Sequence, residues 1–343
     1  MDSTTPAVPP PQPVAAGSGI GILLINLGTP EAPDPKAVRR YLGEFLSDRR
    51  VVELPPLLWQ PILRGIVLPL RSRKSATKYA QIWMTEGSPL RVHTEHQAKL
   101  LQGLLGERGK PAPRVAYAMR YGPPSVADTL EKLLQEGRRN ILVLPLYPQY
   151  AGSTTGSAGD AVFHALAGRR RLPGLRIAGP YHDHPRYIAA LAASVRRYQE
   201  QNGRGEVLVM SFHGLPEAAV RRGDPYREQC ETTAALLAQA LGLAASEYRI
   251  AYQSRFGAAR WLSPHTDASL RKLAEQGIAR VDVVCPGFAG DCLETLEEIA
   301  LEGKATFMTA GGKEFGYIPC LNENPEWIEA LYHICLDNLG GWS

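Results

Sequence analysis

Gly21-Ile22-Leu23-Leu24-Ile25-Asn26-Leu27, closed by Gly28-Thr29-Pro30-Glu31-Ala32, is the stretch on which the fold turns. It is short, rich in aliphatic side chains and almost continuously apolar. A strand covered on both faces of a parallel sheet reads this way, because neither face meets water and polar alternation is not needed. Three more runs share the pattern, at residues 140–146, 206–212 and 280–285. The run at 206–212 leads to Gly214-Leu215-Pro216-Glu217-Ala218, an echo of the Gly28–Ala32 pentapeptide that closes the first run.

Between these runs lie helical patterns, at 126–136 and 266–276, each ending on a glycine in the C-cap position, Gly137 and Gly277. Strands alternating with helices give the α/β class. Leu130-x-Lys132-Leu133-x-x-x-Gly137 returns as Leu270-x-Lys272-Leu273-x-x-x-Gly277, and Ala116-Tyr117-x-x-Arg120-Tyr121-Gly122 returns as Ala251-Tyr252-x-x-Arg255-Phe256-Gly257. Three echoes in one order point to a duplicated architecture: two similar domains, each a parallel sheet flanked by helices. The expected division is a Pro/Ala-rich disordered tail at 1–18, an N-terminal α/β domain at 19–180, a C-terminal α/β domain at 181–325 and a closing helix at 326–343. Ligands of such sheets bind beyond the carboxyl ends of the strands, which here places a site in the cleft between the domains.

Composition narrows the class of function. Hydrophobic residues make up 44% of the 343 and charged residues 21%, which excludes a disordered chain. A net charge of +4 argues against a nucleic-acid partner. Five cysteines without a CxxC pair argue against a disulfide framework or a zinc ribbon and for a reducing compartment. Residues 1–18 hold no Lys or Arg, so no export or transit signal is read there, and a cytoplasmic location is expected.

The loops after the four runs carry the candidate chemistry. His213 ends the third run, where it either caps the turn or faces the cleft as a base or neutral metal ligand. Glu294, Glu298 and Glu302 come next at four-residue spacing, which on an α-helix makes one acidic ridge: a solvated face, or a track for cations or protons. His182-Asp183-His184, before Pro185, reads as a helix start rather than a metal site. The Ser/Thr-rich loop at 147–156 suits an anion or simply a capped turn, and it matches no nucleotide fingerprint. Residues 51–70 are apolar and basic-flanked but broken by four prolines. That excludes a membrane-spanning helix and favours a lip resting on an anionic lipid surface over a core segment.

Leu27-Gly28-Thr29-Pro30, Tyr147-Pro148-Gln149-Tyr150, Ser211-Phe212-His213-Gly214-Leu215-Pro216, Gly223-Asp224-Pro225-Tyr226, Gln253-Ser254 and Asp291-x-x-Glu294-Thr295 together resemble the ferrochelatase family. The resemblance runs from about residue 20 to 335. It implies two Rossmann-like domains and a lyase of haem and porphyrin biosynthesis that inserts ferrous iron, as substrate, into protoporphyrin IX with release of two protons. It makes His213 and Glu294 the catalytic pair, and His213, Glu294, Glu298 and Glu302 the metal-binding residues, with the three glutamates on a helix that carries a π-type irregularity. Leu27, Arg120, Tyr121, Tyr226, Trp261 and Phe288 fall where the family lines its porphyrin pocket, with Arg120 suited to a propionate. Residues 51–70 resemble the active-site lip, which implies peripheral contact with the inner membrane.

Two features depart from the pattern. Cys292 stands where many members have histidine, and no cysteine cluster precedes the end, so no [2Fe–2S] cluster and no tightly bound cofactor are expected. Coproporphyrin ferrochelatase, cobalt chelatase or a non-catalytic porphyrin or haem carrier are the alternatives on the same residues. An exported solute-binding protein is disfavoured by the missing signal.

Overall fold

A computed structural model of the chain describes residues 19–109, 111–257 and 259–342. The tail expected at 1–18 lies outside the described residues. Among the described residues eight strands form two all-parallel sheets of four. The first has β1 (Ile20–Gly28), β2 (Arg114–Tyr121), β3 (Asn140–Pro145) and β4 (Gly174–Ile177) in the order β2-β1-β3-β4. The second has β5 (Val207–His213), β6 (Tyr248–Gln253), β7 (Arg280–Val284) and β8 (Glu314–Tyr317) in the order β6-β5-β7-β8, the same topology again. The four apolar runs are the four central strands, β1, β3, β5 and β7. The edge strands have a neighbour on one side only and tolerate charge, so β2, β6 and β8 carry no continuous apolar signature.

Two of the three echoes are structurally equivalent. Gly137 and Gly277 both take positive φ, and each helix closes with the same pair of bonds: Gly137 N–H to the Leu134 carbonyl with Arg138 to Leu133, and Gly277 to Ala274 with Ile278 to Leu273. This is a Schellman motif repeated. Gly28 and Gly214 also correspond. A Cβ on Gly28 would lie 1.9 Å from the Tyr121 carbonyl oxygen, and one on Gly214 would lie 2.5 Å from that of Gln253. Any side chain there would push the first strand of its half off the second.

The third echo is out of register. Ile25 pairs with Ala118 and its counterpart Ser211 with Ala251, so Ala118, not Ala116, is the partner of Ala251. A shift of two residues preserves which face a side chain occupies, so the mismatch leaves the apolar pattern intact. In the true register Leu27 corresponds to His213, Arg120 to Gln253 and Tyr121 to Ser254.

One core joins the halves. Helices Pro89–Arg108, Pro185–Asn202, Tyr226–Leu241 and Pro325–Leu339 lie between the sheets, where Leu101, Tyr187, Leu237 and Trp327 meet Ile22 and Leu142 of the first sheet and Met210 and Phe212 of the second. The outer faces are covered separately, by Val126–Gln135 and Ser157–Leu166 on the first and by Thr266–Glu275 and the segment after Leu296 on the second. Pro185–Asn202 starts as expected, with the His184 ring accepting the Arg186 N–H. The closing helix Pro325–Leu339 packs on Pro89–Arg108 and β3, and Arg176 of β4 donates to the Asn338 and Gly340 carbonyls at its end.

Candidate active site

His213 is the last residue of β5, at the carboxyl edge of the second sheet. Its Nδ1 lies 2.7 Å from the Gly214 carbonyl oxygen. A carbonyl only accepts, so Nδ1 carries the hydrogen, and in the neutral ring Nε2 is free to take a proton or bind a metal. The Phe288 ring stands 6.4 Å away, centroid to centroid.

Glu294 is set by the loop after β7. The Asp291 carboxylate, buried, accepts from Thr295 Oγ1 at 3.0 Å, Asn322 Nδ2 at 2.7 Å and the Tyr317 hydroxyl, while Thr295 Oγ1 also receives the Cys292 N–H at 2.9 Å. This explains the spacing of Asp291-x-x-Glu294-Thr295: the aspartate and threonine lock the turn, and Glu294 projects from it. Cys292 caps the short helix Leu293–Thr295, and burial with the nearby Glu294 charge pushes its thiol pKa up, so it stays protonated.

The chain then winds as a π-helix, Leu296–Gly303, before resuming α-helix. The four-residue ridge expected for Glu294, Glu298 and Glu302 therefore does not hold through this segment. Lys78 Nζ bridges Glu297 and Glu302, five apart as a π-turn repeats, at 2.8 and 2.9 Å. Exposed Glu302 is thus paired with a cation from the helix Leu68–Ile82, which no local sequence signal could reveal.

Glu298 is held differently. Its Oε1 accepts the Ser254 N–H at 2.7 Å and its Oε2 the Ser254 hydroxyl. Burial raises its pKa, the Ser254 bonds and the His213 imidazole oppose this, and the Glu294 charge adds to it. His213 and Glu294 both act on the charge of Glu298, while among the described residues no three His, Cys, Asp or Glu side chains are arranged to hold a metal ion. Glu298, Ser254 and Glu302 line a cavity of ≈ 530 Å³ together with His265 and the ion pair of Arg255 with Asp267. Gly28, Thr29, Cys292 and Glu294 line a separate small void of ≈ 10 Å³, room for about one water.

The expected pocket residues separate into two groups. Leu27, Trp261 and Phe288 are half-buried. Tyr121 and Tyr226 are buried, and Tyr121 gives its hydroxyl to Asp48 at 2.8 Å. Arg120 is committed to Asp48 at 2.7 Å and to Ser157 Oγ at 2.7 Å, so it is not a free anchor for a carboxylate. In the Ser/Thr-rich loop the Gly152 N–H meets an anion supplied by the chain itself, Asp224 Oδ2 at 2.7 Å, while Asp224 Oδ1 takes the Tyr226 N–H.

Residues 51–70 open a helical segment with a π-turn, Leu63–Val67, between Pro56–Ile62 and Leu68–Ile82. Leu63 and Leu68 are buried against Tyr41 and Leu42, whereas Leu57 is 91% and Leu70 71% exposed, with Leu58 and Ile66 beside them. Among the described residues no helix is long and apolar enough to cross a membrane. The Arg71 guanidinium lies 5.2 Å over the Phe256 ring, which contacts Trp261, so this segment reaches the second half.

The family model for ferrochelatase matches residues 19–339. This chain belongs to the ferrochelatase family. A ferrochelatase of a Polaromonas species is 55% identical over 331 residues, 96% of this chain and 90% of the relative; that of Methylibium petroleiphilum is 57% identical over 321 residues, 94% and 88%. Ferrochelatases are metal-insertion lyases whose iron is a substrate. The fold is shared more widely. SirB from Bacillus subtilis with Fe3+ aligns at TM-score 0.54 and 13% identity over 94% of this chain and 96% of its own, and DR2241 from Deinococcus radiodurans at 0.52 and 13% over 95% and 56%.

Proposed function

We propose that this chain inserts ferrous iron into protoporphyrin IX, releasing two protons, with His213 and Glu294 as the catalytic pair and Glu298 and Glu302 leading the metal inward. What supports the reading is His213 at the carboxyl edge of the second sheet and Glu298, gripped by Ser254 from the neighbouring strand end, on the wall of the ≈ 530 Å³ cavity. Insertion needs an acceptor for two pyrrole protons and oxygen ligands to replace the water of the metal. The free Nε2 of His213 and the carboxylate of Glu294 supply those two chemistries. Glu298 passes the cation on, and Glu302 does so by giving up Lys78.

Leu27, Trp261 and Phe288 offer apolar surface to the macrocycle, with Tyr121 and Tyr226 supporting it from beneath. Arg120 reaches a propionate only by exchanging Asp48. The exposed Leu57, Leu58, Ile66 and Leu70, near Arg64, Arg73 and Lys74, suit contact with an anionic lipid surface, and we place the enzyme in the cytoplasm against the inner membrane.

Anaerobic incubation with ferrous iron, following the Soret band, tests the reading. Faster turnover of protoporphyrin than coproporphyrin is expected; the reverse preference overturns the substrate assignment. Porphyrin binding without insertion makes the chain a carrier. Sedimentation with anionic vesicles is expected for the native chain and lost in Leu57→Glu/Leu70→Glu.

A further inference from the structure

We propose that Ser254 is a positioning residue for Glu298: it fixes the carboxylate with neutral donors only, so that its negative charge stays available to an incoming cation. The inference rests on the reading of Glu298 as part of the metal path.

The geometry is unusual in three respects. First, Ser254 takes φ +64° although it is not a glycine, a left-handed conformation that a side chain adopts only when its surroundings enforce it. Second, that conformation delivers both donors of one residue to one carboxylate, the N–H to Oε1 and the hydroxyl to Oε2. Third, the preceding residue holds the same segment at its start: Gln253 Nε2 donates to the Glu294 carbonyl at 2.6 Å. Gln253 is itself fixed, since its Oε1 accepts from Ser211 Oγ at 2.7 Å, and Ser211 Oγ lies 2.8 Å from Thr266 Oγ1.

The end of β6 thus grips the irregular helix at two points one turn apart. No cation belongs to the grip. An arginine in place of these donors would hold the carboxylate as firmly but would neutralise it, and a metal would have to displace the guanidinium first. Ser254 and Glu298 also line the same ≈ 530 Å³ cavity, a route by which a hydrated ion can arrive. Serine suits the position better than its neighbours in size. Glycine accepts the φ value but has no hydroxyl, alanine has neither advantage, and threonine adds a β-branch where φ is positive.

The test compares Ser254→Gly, Ser254→Ala, Glu298→Gln and the two double variants in the full-length chain, with zinc as the probe metal and protoporphyrin as acceptor. Ser254→Gly is expected to raise KM for zinc about ten-fold while leaving KM for porphyrin within about two-fold, because only the hydroxyl bond to a charged group is lost. Ser254→Ala must show the same split. In the Glu298→Gln background neither change should add more than about two-fold. A native zinc KM in both Ser254 variants, or the same loss with and without Glu298, overturns the proposal. A Glu298→Gln enzyme indistinguishable from the native one overturns the metal-path reading itself, and this proposal with it; silent Ser254 variants beside an impaired Glu298→Gln overturn this proposal alone.

Discussion

The two halves of the molecule end their second strands in corresponding ways and with opposite electrostatic results. In the first half Arg120 and Tyr121 reach a carboxylate, Asp48; in the second, the corresponding Gln253 and Ser254 reach the Glu294 carbonyl and the Glu298 carboxylate. Burial disfavours the Asp48 charge, but bonds from Ser157, the Arg50 amide and Tyr121, with the charge of Arg120, outweigh it and lower its pKa. Nothing on Ser254 neutralises Glu298, and burial keeps its pKa raised. The first strands differ in the same sense, Leu27 standing where the second half has His213. Duplication supplies the scaffold twice; the partner given to each carboxylate decides whether it is neutralised within the fold, as Asp48 is by Arg120, or held by neutral donors, as Glu298 is by Ser254.

The contrast between the halves is largest at its first pair. His213→Ala is expected to lower insertion by about 10²–10⁴-fold with porphyrin still bound, whereas Leu27→Ala should raise KM for porphyrin by roughly ten-fold at most. Equal losses in kcat would show that the halves do not divide chemistry from scaffold. The carboxylates give the next largest contrast. Glu298→Gln should cost about ten- to a hundred-fold in kcat/KM for the metal and little in melting temperature. Asp48→Asn should remove about 2–4 kcal/mol of unfolding free energy, read by urea titration, since it leaves Arg120 short of its counter-charge. Loss of turnover in folded Asp48→Asn would move that carboxylate into the site.

The smallest effect is one of pH. The folded pKa of Asp48 is lowered from 3.8, so its contribution is complete above that value and disappears as pH falls through the lower folded one. The stability gap between native chain and Asp48→Asn should therefore be full at pH 7 and narrow below about pH 4. A gap that widens in acid would contradict the sign.

How much of this was legible in the sequence tracks burial. The central strands declared themselves because both of their faces are covered; β2, β6 and β8 did not, being edges. Motif echoes located the duplication but misplaced β2 against β6 by two residues, a shift that alternation cannot detect. His213 at a strand end and Glu294 in the segment that follows a strand were visible as chemistry-bearing residues. Their supports were not: Lys78 meets Glu297 across 219 positions and Arg120 meets Asp48 across 72, and no periodicity spans such distances. Gln253-Ser254 was visible only as part of a family resemblance, and its purpose appears once the carboxylate it grips is in view.

The helix Pro325–Leu339 lies against β3 and Pro89–Arg108, so a later-made part of the chain covers a surface made well before it. At ribosomal speed, about 180 further residues take roughly 10–40 s. During that interval Leu142, Leu144 and Leu101 lack the cover that this helix gives them.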